Sequence, residues 1–189
     1  MSQELLESIA RVSSRERARI ASGHRGGTAM EESADKVAAL RDAARALARI
    51  GAAHALIGGV AVGIRTGVPR ATLDTDLAVH SSIARVRAAE AMAGAGFVLR
   101  GEFAHSMNFR HPSGEPVQLV FDPGFDGMIE RAEALDIGGV RIGVVTTADL
   151  IVMKERAAAD PARRRSKALR DQADAALLRG DVPDPEEGW

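Results

Sequence analysis

"GGVAVGIRTGVPRATLDTDLAVH", residues 58–80, decides the fold. It opens on two glycines, crosses a short apolar segment and an Arg-containing bend, and ends in a run that alternates like a strand. Side chains alternate along a strand, so Asp74 and Asp76 are expected on one face, with Leu73, Thr75 and Leu77 on the other. Two carboxylates held a few ångströms apart raise each other's pKa unless a positive group lies between them. A divalent cation removes that repulsion. Hard oxygen ligands, without cysteine or clustered histidine, point to Mg²⁺ or Mn²⁺ rather than zinc. Upstream, a strand that ends in Gly58-Gly59 and enters a helix offers free backbone N–H groups, a place that suits phosphate. Each signal has a plainer reading. Asp74 can simply cap the strand entry, and Gly58-Gly59 can simply be a tight turn.

The surrounding chain sets the class. With 189 residues, 46% of them hydrophobic, it can bury the core of one domain plus a small appendage. The formal net charge of −1 gives no field to gather nucleic acid. Five Phe, one Trp and no Tyr leave few platforms for base stacking. With no cysteine there are no disulfides and no thiolate metal sites. The first twenty residues are charged throughout, and no apolar run reaches the roughly 18 residues of a membrane span. A cytoplasmic protein without membrane association is expected.

The periodicities predict helix, strand, helix, strand, helix, several strands and two helices. Residues 4–20 have helical spacing (Leu5, Leu6, Ile9, Val12), in an arm that is either a mobile extension or docked on a partner subunit. Residues 31–50 form an amphipathic helix capped near Ser33 and Asp35 and ended by Gly51. "HALIGG" is a buried strand and "VAVGIRTG" a short helix. "FVLR", "SMNFRH" and "PVQLVFD" are strands, the last two joined by a "PSGE" turn. A hairpin follows at Gly138-Gly139, then a helix capped at Thr146 or Thr147, then a last helix stopped by Gly180. The expected organisation is an N-terminal helical arm (1–32), an α/β core (33–145), a C-terminal helical part (146–180) and a loose tail (181–189). The fold class is α/β (α+β), a mixed sheet flanked by helices.

The ordered combination strand–GG–helix–"RATLDTDLAV" resembles the signature of the nucleotidyltransferase superfamily. It is closest to the minimal, AbiEii-like (MNT-type) bacterial branch. The matching residues are Gly58, Gly59, Arg70, Thr72, Asp74 and Asp76. Further on, Leu150, Ile151 and Lys154 stand in an "L-I-x-x-K" context, and Arg170, Asp171 and Asp174 match a later helix. The resemblance runs from about residue 35 to 178. It implies a nucleotidyltransferase-type mixed sheet and transfer of a nucleoside monophosphate from an NTP to a hydroxyl of a protein, RNA or small molecule. It assigns Gly58, Gly59, Arg70, Thr72 and Lys154 to the nucleotide, and Asp74 and Asp76 to catalysis and the metal. Asp171 and Asp174 would orient basic side chains. Some relatives are toxins of toxin–antitoxin pairs, which makes an antitoxin a candidate partner.

The pattern breaks at one place. The family's third carboxylate is expected in "EPVQLVFD", where this chain has Gln118, a neutral side chain and a poor Mg²⁺ ligand. Three readings stand open: an enzyme running on two carboxylates, a register shift that brings in Asp122, or a degenerate fold that binds nucleotide or a partner without turnover. His105 and His111 flank "SMNFRH" and raise a two-histidine metal site as a lesser option. Arg163, Arg164, Arg165 and Lys167 form either a solvated helix face or a phosphate-facing one.

Overall fold

A computed structural model describes residues 3–23 and 35–182. Seven helices and seven strands are described. They are α1 (Gln3–Gly23), α2 (Lys36–Arg49), β1 (His54–Ile57), α3 (Gly58–Thr66), β2 (Thr75–Val79) and α4 (Arg85–Gly94). Then come β3 (Val98–Glu102), β4 (Ser106–Arg110), β5 (Pro116–Val120), α5 (Asp126–Glu130), β6 (Glu133–Asp136), β7 (Arg141–Val144), α6 (Thr147–Ala159) and α7 (Arg165–Leu178).

The strands form one mixed sheet in the order β3-β4-β5-β2-β1-β7-β6. β1 pairs antiparallel with β2 and parallel with β7, and β2 pairs parallel with β5. The sheet centre is apolar on the side away from the aspartates. Leu56, Leu77, Leu119 and Ile142 are fully buried, with Leu40 and Leu47 of α2 and Met92 of α4. The core is mainly aliphatic, as the scarcity of aromatics requires.

Local signals place most elements where the sequence predicts them. Asp35 caps α2 by accepting from the Ala38 N–H, and Thr146 caps α6 by accepting from the Asp149 N–H. Ser33 and residues 31–34 of the expected second helix lie outside the described residues, as do His24 and residues 183–189.

Two expectations change. β2 begins at Thr75, so Asp74 sits in the bend that enters the strand, and Leu73 is exposed rather than turned inward. The physical reason is the bend itself, which Thr72 holds by donating its hydroxyl to the Asp74 carbonyl at 3.3 Å. Second, α1 lies on its own chain. Leu6, Ile9, Ser13 and Arg17 are buried along one stripe with spacings of three and four. The stripe continues from apolar into polar residues, which hydropathy alone does not detect.

Candidate functional site

Gly58 and Asp76 occupy each other's space. Gly58 has φ +69°, and a Cβ there would overlap the Asp76 carboxylate. Gly59 stands in the same relation to the bend, since a Cβ would lie 2.9 Å from Thr72 Oγ1 and against the Arg70 guanidinium. The double glycine and the "R-x-T-x-D-x-D" segment are therefore one packed unit: each glycine is the socket for a side chain of the second motif. Side chains of the second motif thus fill the space beside these glycines, Asp76 at Gly58 and Thr72 and Arg70 at Gly59.

This unit makes the floor of a cleft of about 530 Å³. Gly58, Gly59, Arg70, Thr72, Asp74 and Asp76 line it from the sheet side. Gln118, Lys154, Arg163, Lys167 and Arg170 line it as well. All of the sequence-predicted site residues thus meet at one place except Asp122. That residue lies past the end of β5, where its carboxylate accepts from the Gly124 N–H and caps a short turn. No register shift brings it in: β2 and β5 pair Asp76 with Gln118 and Ala78 with Val120 without interruption.

The two aspartates differ in surroundings. Asp74 accepts from Thr72 Oγ1 at 3.3 Å, and Lys36 donates to its backbone carbonyl at 3.2 Å. No donor among the described residues bonds the Asp76 carboxylate. Burial pushes Asp76 up to about 7, and the charge of Asp74 adds to the rise against the opposing pull of Lys154, Lys36 and Lys167. A carboxylate left without a donor beside a second carboxylate is a site that gains from a cation. The donor set fits a hard divalent ion that takes its remaining ligands from phosphates and water. Among the described residues no cluster of three or more Asp, Glu, His or Cys is placed to hold a metal. The third position is Gln118, whose amide donates to Asn108 Oδ1 at 2.9 Å and to Ser106 Oγ at 3.3 Å.

Lys154 lines the cleft, but its ammonium faces Asp171 at 3.0 Å and Asp174 at 2.8 Å. Asp171 also pairs with Arg163 at 2.6 Å, and Asp174 with Arg70. Lys154 thus ties α6 to α7, and through Asp174 to the aspartate bend. Lys167 and Arg170 line the cleft without a carboxylate partner among the described residues. Arg164 and Arg165 do not line it. The sequence leaves a cleft-facing role open for Lys167, and Arg170, three residues further along the same helix, shares its face.

The histidines stand apart. His111 faces Asp42 at 3.3 Å and Ser113 at 2.8 Å, while His105 is exposed, so the two do not form a metal pair.

Under the bend lies a buried charged network that no local feature of the sequence marks. Glu115 is fully buried and accepts from Arg17 of α1, Lys36 of α2 and Thr75 of β2. Arg17 also donates to the Leu73 carbonyl at 3.3 Å, and the Thr72 N–H donates to Ser13 Oγ at 3.2 Å. Two helices are thereby fastened to the segment that carries Asp74.

The glycine sockets make a direct prediction. Gly58→Ala must displace Asp76 and strain the backbone, at a cost of about 2–4 kcal/mol. Gly67 has a similar φ of +73° but nothing within 4 Å of an added Cβ. Gly67→Ala should therefore cost only about 1 kcal/mol. Thermal denaturation of the two variants checks the difference. Equal losses would show that the Gly58 socket has no role.

No protein-family model matches the chain, and no curated protein matches it. Solved structures do. An antigenic nucleotidyltransferase-like protein from Paracoccidioides brasiliensis aligns over 82% of this chain and 81% of its own, with 21% identity and a TM-score of 0.51. The antibiotic-resistance factor ANT(2'')-Ia aligns over 77% of this chain and 85% of its own, at 17% identity and a TM-score of 0.56. The lincosamide antibiotic adenylyltransferase LnuA aligns over 72% and 91%, at 12% identity and a TM-score of 0.51. At these identities the likeness is one of architecture, and it gives the chain a nucleotidyltransferase-type fold.

Proposed function

We propose that this protein transfers a nucleoside monophosphate from an NTP to a hydroxyl group, with release of pyrophosphate. The observation that carries this is the cleft itself: an under-coordinated carboxylate pair, Asp74 and Asp76, facing the unpaired cations Lys167 and Arg170. The fold neighbours support the reaction class, since one is named an antibiotic adenylyltransferase and another a nucleotidyltransferase-like protein. The "RATLDTDLAV" motif supports a place near the AbiEii-like branch, and with it an antitoxin as a partner to be sought.

In this reading Lys167 and Arg170 receive the triphosphate, because their charges are not spent on carboxylates. Arg70 and Lys154 act chiefly on the protein: they lock the aspartate bend to α7. Asp74 and Asp76 hold Mg²⁺ or Mn²⁺. When bound, such an ion neutralises phosphate charge and stabilises the entering and leaving oxygens of an in-line displacement. Gln118 contributes an amide oxygen at most, so two carboxylates carry the site.

Gln118 also favours a second reading, in which the cleft binds nucleotide without turnover. Incubation with each α-labelled NTP and Mg²⁺ or Mn²⁺ separates the two. Transfer of label, lost by at least about 10³-fold in Asp74→Ala/Asp76→Ala, is expected for a metal-dependent transferase. Transfer that survives the double substitution would remove the assignment. Metal-dependent binding of NTP with no transfer would leave the binding reading.

A further inference from the structure

Beside the main cleft lies a second cavity, of about 190 Å³, that shares Asp74 and Gln118 with it. Its other polar lining is Arg100, Asn108 and Arg110. The sheet register explains why these groups meet. Asp76 stands opposite Gln118 and Gln118 opposite Asn108, so one polar row crosses β2, β5 and β4 and ends against Gly101 of β3. Arg110 lies two residues along β4 from Asn108, on the same face. Arg100 falls in the register shift between Leu99 and Gly101. A bulge of this kind re-aims a side chain, and here Arg100 lines the cavity.

Arg100 makes no ion pair among the described residues. Arg110 donates to the Gly114 carbonyl at 2.7 Å and likewise meets no carboxylate. Two arginines thus line the cavity against one acidic residue, Asp74, which already belongs to the aspartate pair. Lys167 and Arg170 lie in the main cleft and not in this one.

We infer that this cavity is the acceptor subsite, and that the acceptor is a small hydroxyl compound carrying an oxyanion, a phosphate or a carboxylate, held by Arg100 and Arg110. This rests on the nucleotidyl-transfer reading above. Guanidinium groups bind oxyanions through paired N–H donors. Asn108 and Gln118 supply neutral amides for the hydroxyls of the same molecule. The volume suits a polyol or sugar derivative. Phe109 lines the cavity but is buried in the core and offers no face for stacking, and with the net charge of −1 this argues against a nucleic-acid strand. A polycationic acceptor would face the two arginines and be repelled. In the transfer, the acceptor hydroxyl oxygen bonds to the α-phosphorus. The bond from that phosphorus to the oxygen bridging it to the β-phosphorus breaks, pyrophosphate leaves, and the hydroxyl proton passes to solvent.

The test has two arms on the full chain. In the first, without nucleotide, glycerol 3-phosphate, ribose 5-phosphate and 3-phosphoglycerate are titrated by calorimetry against glycerol, ribose and glycerate. At least one anionic compound should bind tenfold or more tighter than glycerol or ribose. Arg100→Ala, an exposed substitution that leaves the core intact, and Arg110→Ala should each remove that preference. The response to glycerate separates a carboxylate site from a phosphate site. In the second arm, labelled NTP and Mg²⁺ are supplied with the same compounds and with kanamycin as a cationic acceptor. Label should move to an anionic acceptor and fall tenfold or more in Arg100→Ala. Anion-selective binding with no transfer would keep the subsite and remove the transferase reading. Transfer to neutral or cationic acceptors with no loss in either arginine variant would keep the transferase and overturn this inference. Equal binding of charged and uncharged compounds would overturn it as well.

Discussion

Glu115→Ala should cost about 3–5 kcal/mol of stability, the largest loss expected from any single side chain away from the apolar core. Glu115 is fully buried, and Arg17 and Lys36 both direct their charges at it. Burial pulls the Lys36 pKa down, and the Glu115 carboxylate pulls it back up. Removing the carboxylate leaves two buried cations facing each other. For a domain of this size the loss corresponds to a fall in Tm of about 10 °C. Glu115→Gln keeps an acceptor but not the charge, and should fall between wild type and Glu115→Ala. Replacing all three members together, as Arg17→Met/Lys36→Met/Glu115→Leu, should restore much of the loss, since no charge is then stranded. Because Arg17 and Ser13 also hold the 72–74 backbone, the single variants should weaken the aspartate bend before the protein unfolds. A Tm for Glu115→Ala within about 2 °C of wild type would contradict this account of α1.

The second large effect is on the dependence of stability on pH. Asp76 is raised from 3.8 to about 7 by burial and by Asp74. In the unfolded chain it titrates near its ordinary value. Between about pH 4 and 7 the folded protein therefore holds a proton that the unfolded chain has lost. Stability falls as pH rises through that window, and the full penalty is present above it. Asp76→Asn removes the penalty. It should stabilise the protein on the order of 2–4 kcal/mol at pH 8 and by little near pH 4. Addition of Mn²⁺ should raise the Tm of the wild type at pH 8 and leave that of Asp76→Asn unchanged. Thermal melts at both pH values check this. An equal gain at pH 4.5 and pH 8 would mean that Asp76 carries no such penalty.

Much of the site was legible because its residues are close in sequence. Asp74 and Asp76 are two apart, and Gly58, which receives Asp76, directly follows β1, the strand paired with β2. The strand–glycine–helix turn and the bend could be read from local chemistry, and the likeness of motif order joined them. What was not legible depends on distant contacts. Glu115 is far from Arg17 and Lys36 in the chain, and a charged residue beside a "PSG" turn gives every local sign of exposure. Arg17 has a charged helical neighbourhood, and only its spacing from Leu6, Ile9 and Ser13 hints at the buried stripe. Lys154 was expected to serve phosphate, and only the approach of α7 shows its charge held by Asp171 and Asp174. The entry of Asp74 into β2 differed for a smaller reason: a threonine hydroxyl bonded to the chain two residues on holds a bend where alternation alone predicts a strand. Gln118, in contrast, stands where the strand pairing required it, directly opposite Asp76.

The Asp74–Asp76 pair is expected to couple a divalent cation to a nucleoside triphosphate in this cleft. The direct measurement is calorimetric titration of each of the four nucleoside triphosphates into the protein at pH 8, with Mg²⁺ and with EDTA. The titrations are repeated on Asp74→Asn/Asp76→Asn. At least one triphosphate should bind the wild type tenfold or more tighter with Mg²⁺, and the variant should show no such gain. Wild-type binding that is indifferent to Mg²⁺, or a metal-dependent gain that persists in the variant, would contradict it.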